Sequence, residues 1–201
     1  EKMQKQRLEF INEFNSSIIV LLGRLPLVLE EDRFNNLEGA YEGEMFDFLQ
    51  NKDNSLDTKE ERKSAIFDNY RFTVQKLIDN GHKIILVTPK GSKVPFENEN
   101  LEIILIDGID QPSWQHQKED DPVIIPSNSV LPKLWEAVIE LQNQSDAIIN
   151  FAYDWLPLWL TKTKGIKIFN LISMGSESLV MKEIISEVSQ LFPFQLAFHT
   201  Y

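Results

Sequence analysis

The chain is expected to fold as an α/β domain, a doubly wound Rossmann-like parallel sheet with helices on both faces. Three observations predict this. Short apolar runs rich in β-branched residues recur along the 201 residues, segments of helical period separate them, and turn formers bound most runs. Strand, helix, strand in that rhythm is what right-handed crossovers onto a parallel sheet require. The length favours a single domain over residues 1–201.

Six runs are the expected strands: residues 17–22, 83–88, 101–107, 147–153, 166–172 and 195–199. Their almost unbroken apolarity suits strands buried on both faces. Helices are expected between them. Residues 65–80 place Ile66, Tyr70, Val74, Leu77 and Ile78 on one face and end in Asn80-Gly81, a C-cap signal. Residues 129–144 align Val130, Leu134, Trp135, Val138 and Leu141, and residues 176–191 carry Ser176 as N-cap with Pro193 beyond the end. Two stretches lack periodicity. Residues 35–61 read as a long acidic loop around a small apolar cluster at Met45, Phe46, Phe48 and Leu49, and residues 111–128 as a Pro-interrupted loop around Glu119-Asp120-Asp121.

Charge and composition exclude several classes of function. Hydrophobic residues at 42% and charged residues at 25% are ordinary for a globular chain. Twenty basic against 31 acidic side chains give a net charge of −11, which repels phosphate backbones and anionic lipid, so no nucleic-acid partner is expected. There is no Cys, which removes thiolate chemistry and Cys-based zinc sites, and His82, His116 and His199 are too far apart in sequence for a local metal motif, so no metal is expected. The longest apolar candidate, residues 18–29, is broken by Gly23, Arg24 and Pro26, well short of the roughly 18 residues of a membrane span. A soluble, cytoplasmic chain is expected. It opens on Glu1 with no charged-then-apolar leader, and both ends read as edges of a fragment.

In doubly wound sheets ligands gather at the carboxyl ends of the strands, so those turns are searched first. The best candidate is Asn150-Phe-Ala-Tyr-Asp-Trp-Leu-Pro157, which leaves a strand and enters a helix. Asp154 can orient a substrate hydroxyl or act as a base there, and Tyr153 and Trp155 can stack on a ring. The alternative is that Asp154 only caps the helix over 156–164 while the aromatics pack. Ser173-Met174-Gly175-Ser176 is a second turn, whose small residues allow backbone amides to approach an anion. Lys90 and Arg24 can each meet a phosphate or carboxylate, but Lys90 reads as solvated and Arg24 as paired with Glu30, Glu31 and Asp32. His82 falls at the opposite edge and reads as structural; His199 falls at the productive edge and is retained as a site residue.

From about residue 75 onward the chain resembles the amino-terminal half of family-4 glycosyltransferases of the two-Rossmann-domain GT-B architecture, in particular the cyanobacterial UDP-glucose:tetrahydrobiopterin glucosyltransferases. The residues that carry this are Asn150 to Pro157 as quoted, Leu171-Ile-Ser-Met-Gly-Ser176, Gln111-Pro-Ser-Trp-Gln-His-Gln117 with Asp121-Pro122, and Asn128-Ser-Val-Leu131 leading to Trp135. The first 90 residues are similar instead to an internal block of the SGNH-type domain of membrane acyltransferases, through Ser16-Ser-Ile-Ile-Val-Leu-Leu-Gly-Arg-Leu-Pro-Leu27 and Phe34-Asn-Asn-Leu-Glu-Gly-Ala-Tyr-Glu-Gly43. That family's Gly-Asp-Ser block and terminal catalytic His are both missing from it. The two resemblances meet near residues 65–90, so a composite origin and a divergent glycosyltransferase both fit.

The first resemblance implies an acceptor-side domain that works with a second Rossmann domain beyond this chain, a UDP-sugar and a small-molecule acceptor, with no resident cofactor. It implies Asp154 as catalytic, Asn150, Tyr153, Trp155, Ser173, Met174 and Gly175 as substrate-binding, and Gly39 and Gly43 as what remains of a Gly-rich phosphate-side loop; His199 joins the substrate-binding set from its place at the productive edge alone. Losing the other glycines of that loop costs close backbone approach to a diphosphate. The alternatives are an SGNH-type esterase or acyltransferase fragment and a non-catalytic α/β domain.

Overall fold

A computed structural model describes residues 17–22, 58–92, 94, 97–109, 120–152, 154–172 and 178–198. Six strands are present where six are expected: β1 Ile18–Leu22, β2 Lys83–Pro89, β3 Leu101–Ile106, β4 Ala147–Asn150, β5 Ile168–Ile172 and β6 Leu196–Phe198. They form one all-parallel sheet in the order β3-β2-β1-β4-β5-β6. This is the order of a Rossmann-like fold. Strand β1 is central to the sheet, between β2 and β4.

The four described helices are α1 Lys59–Asp79, α2 Val130–Leu141, α3 Trp155–Lys164 and α4 Leu179–Leu191. Alternation along β1 sends its side chains to opposite layers. Ile19 and Leu21 pack with Ile84 and Leu86 against Val74, Leu77 and Ile78 of α1. Val20 packs with Ile85, Val87 and Ile148 against Val130, Leu134, Trp135 and Val138 of α2. A third cluster joins Leu158 of α3 and Ile172 of β5 to Met181, Ile184 and Val188 of α4. Each fully buried aliphatic side chain contributes roughly 1.5–3 kcal/mol.

Several boundaries differ from the sequence reading, each for a local reason. The loop expected over 35–61 gives way to α1 at Lys59, because Thr58 and Glu61 form a capping box: Thr58 Oγ1 accepts from Glu61 N at 3.2 Å and Glu61 Oε2 accepts from Thr58 N at 2.9 Å. The helix stops as expected at Asn80-Gly81. Gly81 N donates to Ile78 O and His82 N to Leu77 O, a Schellman closure that the positive φ of Gly81 permits. For α4, Ser178 caps instead of Ser176, accepting from Met181 N. Strand β4 ends at Asn150, three residues earlier than expected, because the Asn150 side chain takes the backbone of Ala152 out of the ladder. Strand β3 is an edge and only half buried, so the expectation of two-sided burial fails there.

Candidate functional site

The strand order reverses direction between β1 and its neighbours. From β1 the chain moves to β2 and β3 on one side, and the later strands β4, β5 and β6 build outward on the other. Connections that diverge in this way leave a crevice at the carboxyl ends of the two central strands. In the register of the sheet, Leu22 at the end of β1 is level with Asn150 at the end of β4 and with Val87 of β2. The Asn150 segment therefore stands at the switch point.

Asn150 is 1% exposed, and its carboxamide is used in full. Its Oδ1 accepts from Ala152 N at 3.0 Å while its Nδ2 donates to Ala152 O at 2.9 Å, so one side chain grips both backbone groups of the residue two positions on. The same Nδ2 donates to Asn170 Oδ1 on β5 at 3.0 Å. Asn170 Nδ2 in turn donates to Thr161 Oγ1 of α3 at 3.2 Å and to Ile168 O at 3.3 Å, and Thr161 Oγ1 donates to Pro157 O at 2.9 Å. Asn150 thus shapes the exit from β4 and is screened from solvent, which makes it a support of the crevice more than a contact surface.

Asp154 follows at the N-cap position of α3, with extended backbone and 3% exposure. It holds the N-cap position, but its side chain makes no capping hydrogen bond to α3. Trp155 opens α3 half-buried, and its ring stacks on Trp159 one turn later with centroids 5.8 Å apart. Both rings pack against the cluster of Leu158, Ile172 and Met181. Val123 packs against that cluster too. Val123, between β3 and α2 in the chain, thereby reaches the α3–α4 end of the sheet.

The β2–β3 half of the edge carries contacts of its own. Lys90 pairs with Asp107 at 3.2 Å, both side chains well exposed, instead of being solvated alone. Lys133 Nζ donates to Asp107 O at 2.9 Å, and Thr88 Oγ1 donates to Ser92 Oγ at 2.9 Å. At the start of α2, Val130 N donates to Ile109 O and Leu131 N to Ser129 Oγ, so these two amides are already occupied. Ser129 is this cap and Trp135 is core.

His82 is at the amino edge, as expected of a structural residue. It is 1% exposed, its Nδ1 accepts from Ser17 N at 3.1 Å, and burial holds its imidazole below the ordinary value of 6.5. Nδ1 as acceptor puts the proton of the neutral ring on Nε2, which has no partner among the described residues.

Asn150, Asp154 and Trp155 follow one another along the exit of β4 into α3. Tyr153, Ser173, Met174, Gly175, His199, Gly39 and Gly43 lie outside the described residues, as do Arg24 and His116. Sequence reasoning missed Asn170 and Thr161. Their signal was present: Asn170 is the one polar residue in Ile-Phe-Asn-Leu-Ile, and a polar group in a two-sided strand has to find a partner. Among the described residues no group of three or more His, Asp or Glu is placed to hold a metal, and no helix is long and apolar enough to cross a membrane. Set against known proteins, the chain matches no family model and no curated sequence.

Proposed function

We propose that this chain is the acceptor-side Rossmann-like domain of a nucleotide-sugar-dependent glycosyltransferase that passes a hexose to a small hydroxylated acceptor. One observation supports the reading: Asn150, which opens one of the segments that resemble that family, stands at the topological switch point, level with the end of β1. In this reading Asp154 orients the acceptor hydroxyl toward the anomeric carbon, and Trp155 supplies an apolar wall beside it. The nucleotide is held mainly by a second Rossmann domain. Catalysis then rests on positioning and on stabilising the departing diphosphate, with no resident cofactor.

The test joins this chain to a donor-binding second domain and follows transfer of labelled glucose from UDP-glucose to a panel of small hydroxylated acceptors. Transfer is expected with the native chain. Asp154→Asn, which keeps the shape and removes the charge, is expected to lower kcat by about a hundredfold or more, the scale of general acid–base contributions. Unchanged turnover removes Asp154 from the mechanism, and no transfer with any acceptor overturns the glycosyltransferase reading.

A further inference from the structure

We infer that Asn170 and Thr161 are positioning residues for the β4–α3 turn, acting through Asn150 to hold Ala152 and the chain that leads to Asp154. The argument begins with what the sheet itself needs. Strands β4 and β5 are otherwise apolar, Ala-Ile-Ile-Asn beside Ile-Phe-Asn-Leu-Ile, and Asn150 is directly paired with Asn170 in their register. A pair of aliphatic side chains at these two positions would hold the strands together without any need for polar partners. Burying two carboxamides and a hydroxyl is tolerable only because each finds partners, and a network of this kind trades nonspecific cohesion for a defined geometry.

The direction of that geometry is visible in the bonds. Thr161 is anchored to Pro157 O within α3, Asn170 bonds to Thr161 and to its own strand at Ile168 O, and Asn150 bonds to Asn170. The output end is Ala152, whose N–H and C=O are both taken by Asn150. The network therefore starts in a helix and a strand and ends on the backbone two residues before Asp154. All three side chains are at most 1% exposed and their polar groups are engaged with one another and with backbone, which assigns them a role through the turn. What they can do for a site at this edge is fix where the turn stands. Their meaning for catalysis rests on the function proposed above; the effect on the turn does not.

The experiment is amide hydrogen exchange by NMR on the 201-residue chain and on two variants, without ligand. Asn150→Leu/Asn170→Leu replaces the carboxamide pair with apolar groups of the same heavy-atom number and branching, and Asn170→Leu alone leaves Asn150 with its own grip on Ala152. The expected result is a loss of protection confined to residues 151–156, about tenfold or more in the double variant and smaller in the single one, while amides of Ile148, Ile149, Ile168 and Phe169 keep theirs. Protection lost evenly through β4, β5 and the turn, or unchanged at the turn, overturns the inference. If the double variant does not fold, the single variant is judged by the same pattern. Because no ligand enters, a failure here is separate from a failure of the transfer assay.

Discussion

A Cβ added to Gly108 would come within 2.7 Å of both the N and the Cα of Val130, so the chain leaving β3 touches the first turn of α2 backbone to backbone. The contact is made by the bonds that frame it, Ile109 N to Asn128 O and Val130 N to Ile109 O, and neither strand nor helix can retreat without breaking them. Gly108→Ala is expected to cost about 1–3 kcal/mol as overpacking and to lower Tm by several degrees. Gly165, by contrast, meets nothing where its Cβ would stand but has φ of 63°, so Gly165→Ala is expected to cost roughly 1–2 kcal/mol through backbone strain alone. Urea denaturation of both variants measures the difference.

Stability should fall as the medium becomes mildly acidic, and His82 is the named cause. Burial holds its folded-state pKa below 6.5, so the unfolded chain takes up the proton first. The cost is absent above about pH 6.5, grows as pH drops through that value, and stops growing once pH passes below the folded-state pKa. His82→Asn can still offer an oxygen, its Oδ1 at the level of Nδ1, to Ser17 N and cannot titrate in this range. Its urea midpoint is therefore expected to change less between pH 7.5 and 5 than that of the native chain.

Thr58→Ala removes one half of the capping box at the start of α1. A loss of about 1 kcal/mol is expected, read as a shift in urea midpoint at constant slope. Glu61→Gln keeps an acceptor for Thr58 N and should cost less.

Nucleotide-sugar binding by these 201 residues alone is expected to be weak. In the proposed arrangement most contacts to the nucleotide belong to another domain, and a loss of roughly 4 kcal/mol turns a micromolar site into a millimolar one. The net charge of −11 adds a modest repulsion of the diphosphate, which salt screens. Calorimetry with UDP- and GDP-sugars decides it. Micromolar binding by this chain alone would place the donor site in the wrong domain.

The sequence by itself determined the elements. Strands β2 and β4 show as β-branched apolar runs because two-sided burial leaves little room for alternation, and α2 and α4 show through Val130, Leu134 and Val138 and through Met181, Ile184 and Val188, spaced at helical period. Caps were less legible: Ser176 and Ser178 look alike in the chain, and the start of α1 hid inside an acidic stretch whose Thr58 and Glu61 only meet once the turn forms. Only the tertiary structure decided the strand order, since six apolar runs can pair in many ways. Next to β1 it placed β4, with Asp146 accepting from Ile18 N across 128 positions of sequence. It also decided what Asn150 does. Local sequence shows a carboxamide at a strand end, but the partner that gives it a role is Asn170, twenty residues on, and pairing at that distance is fixed by the register of neighbouring strands and by nothing in the intervening chain.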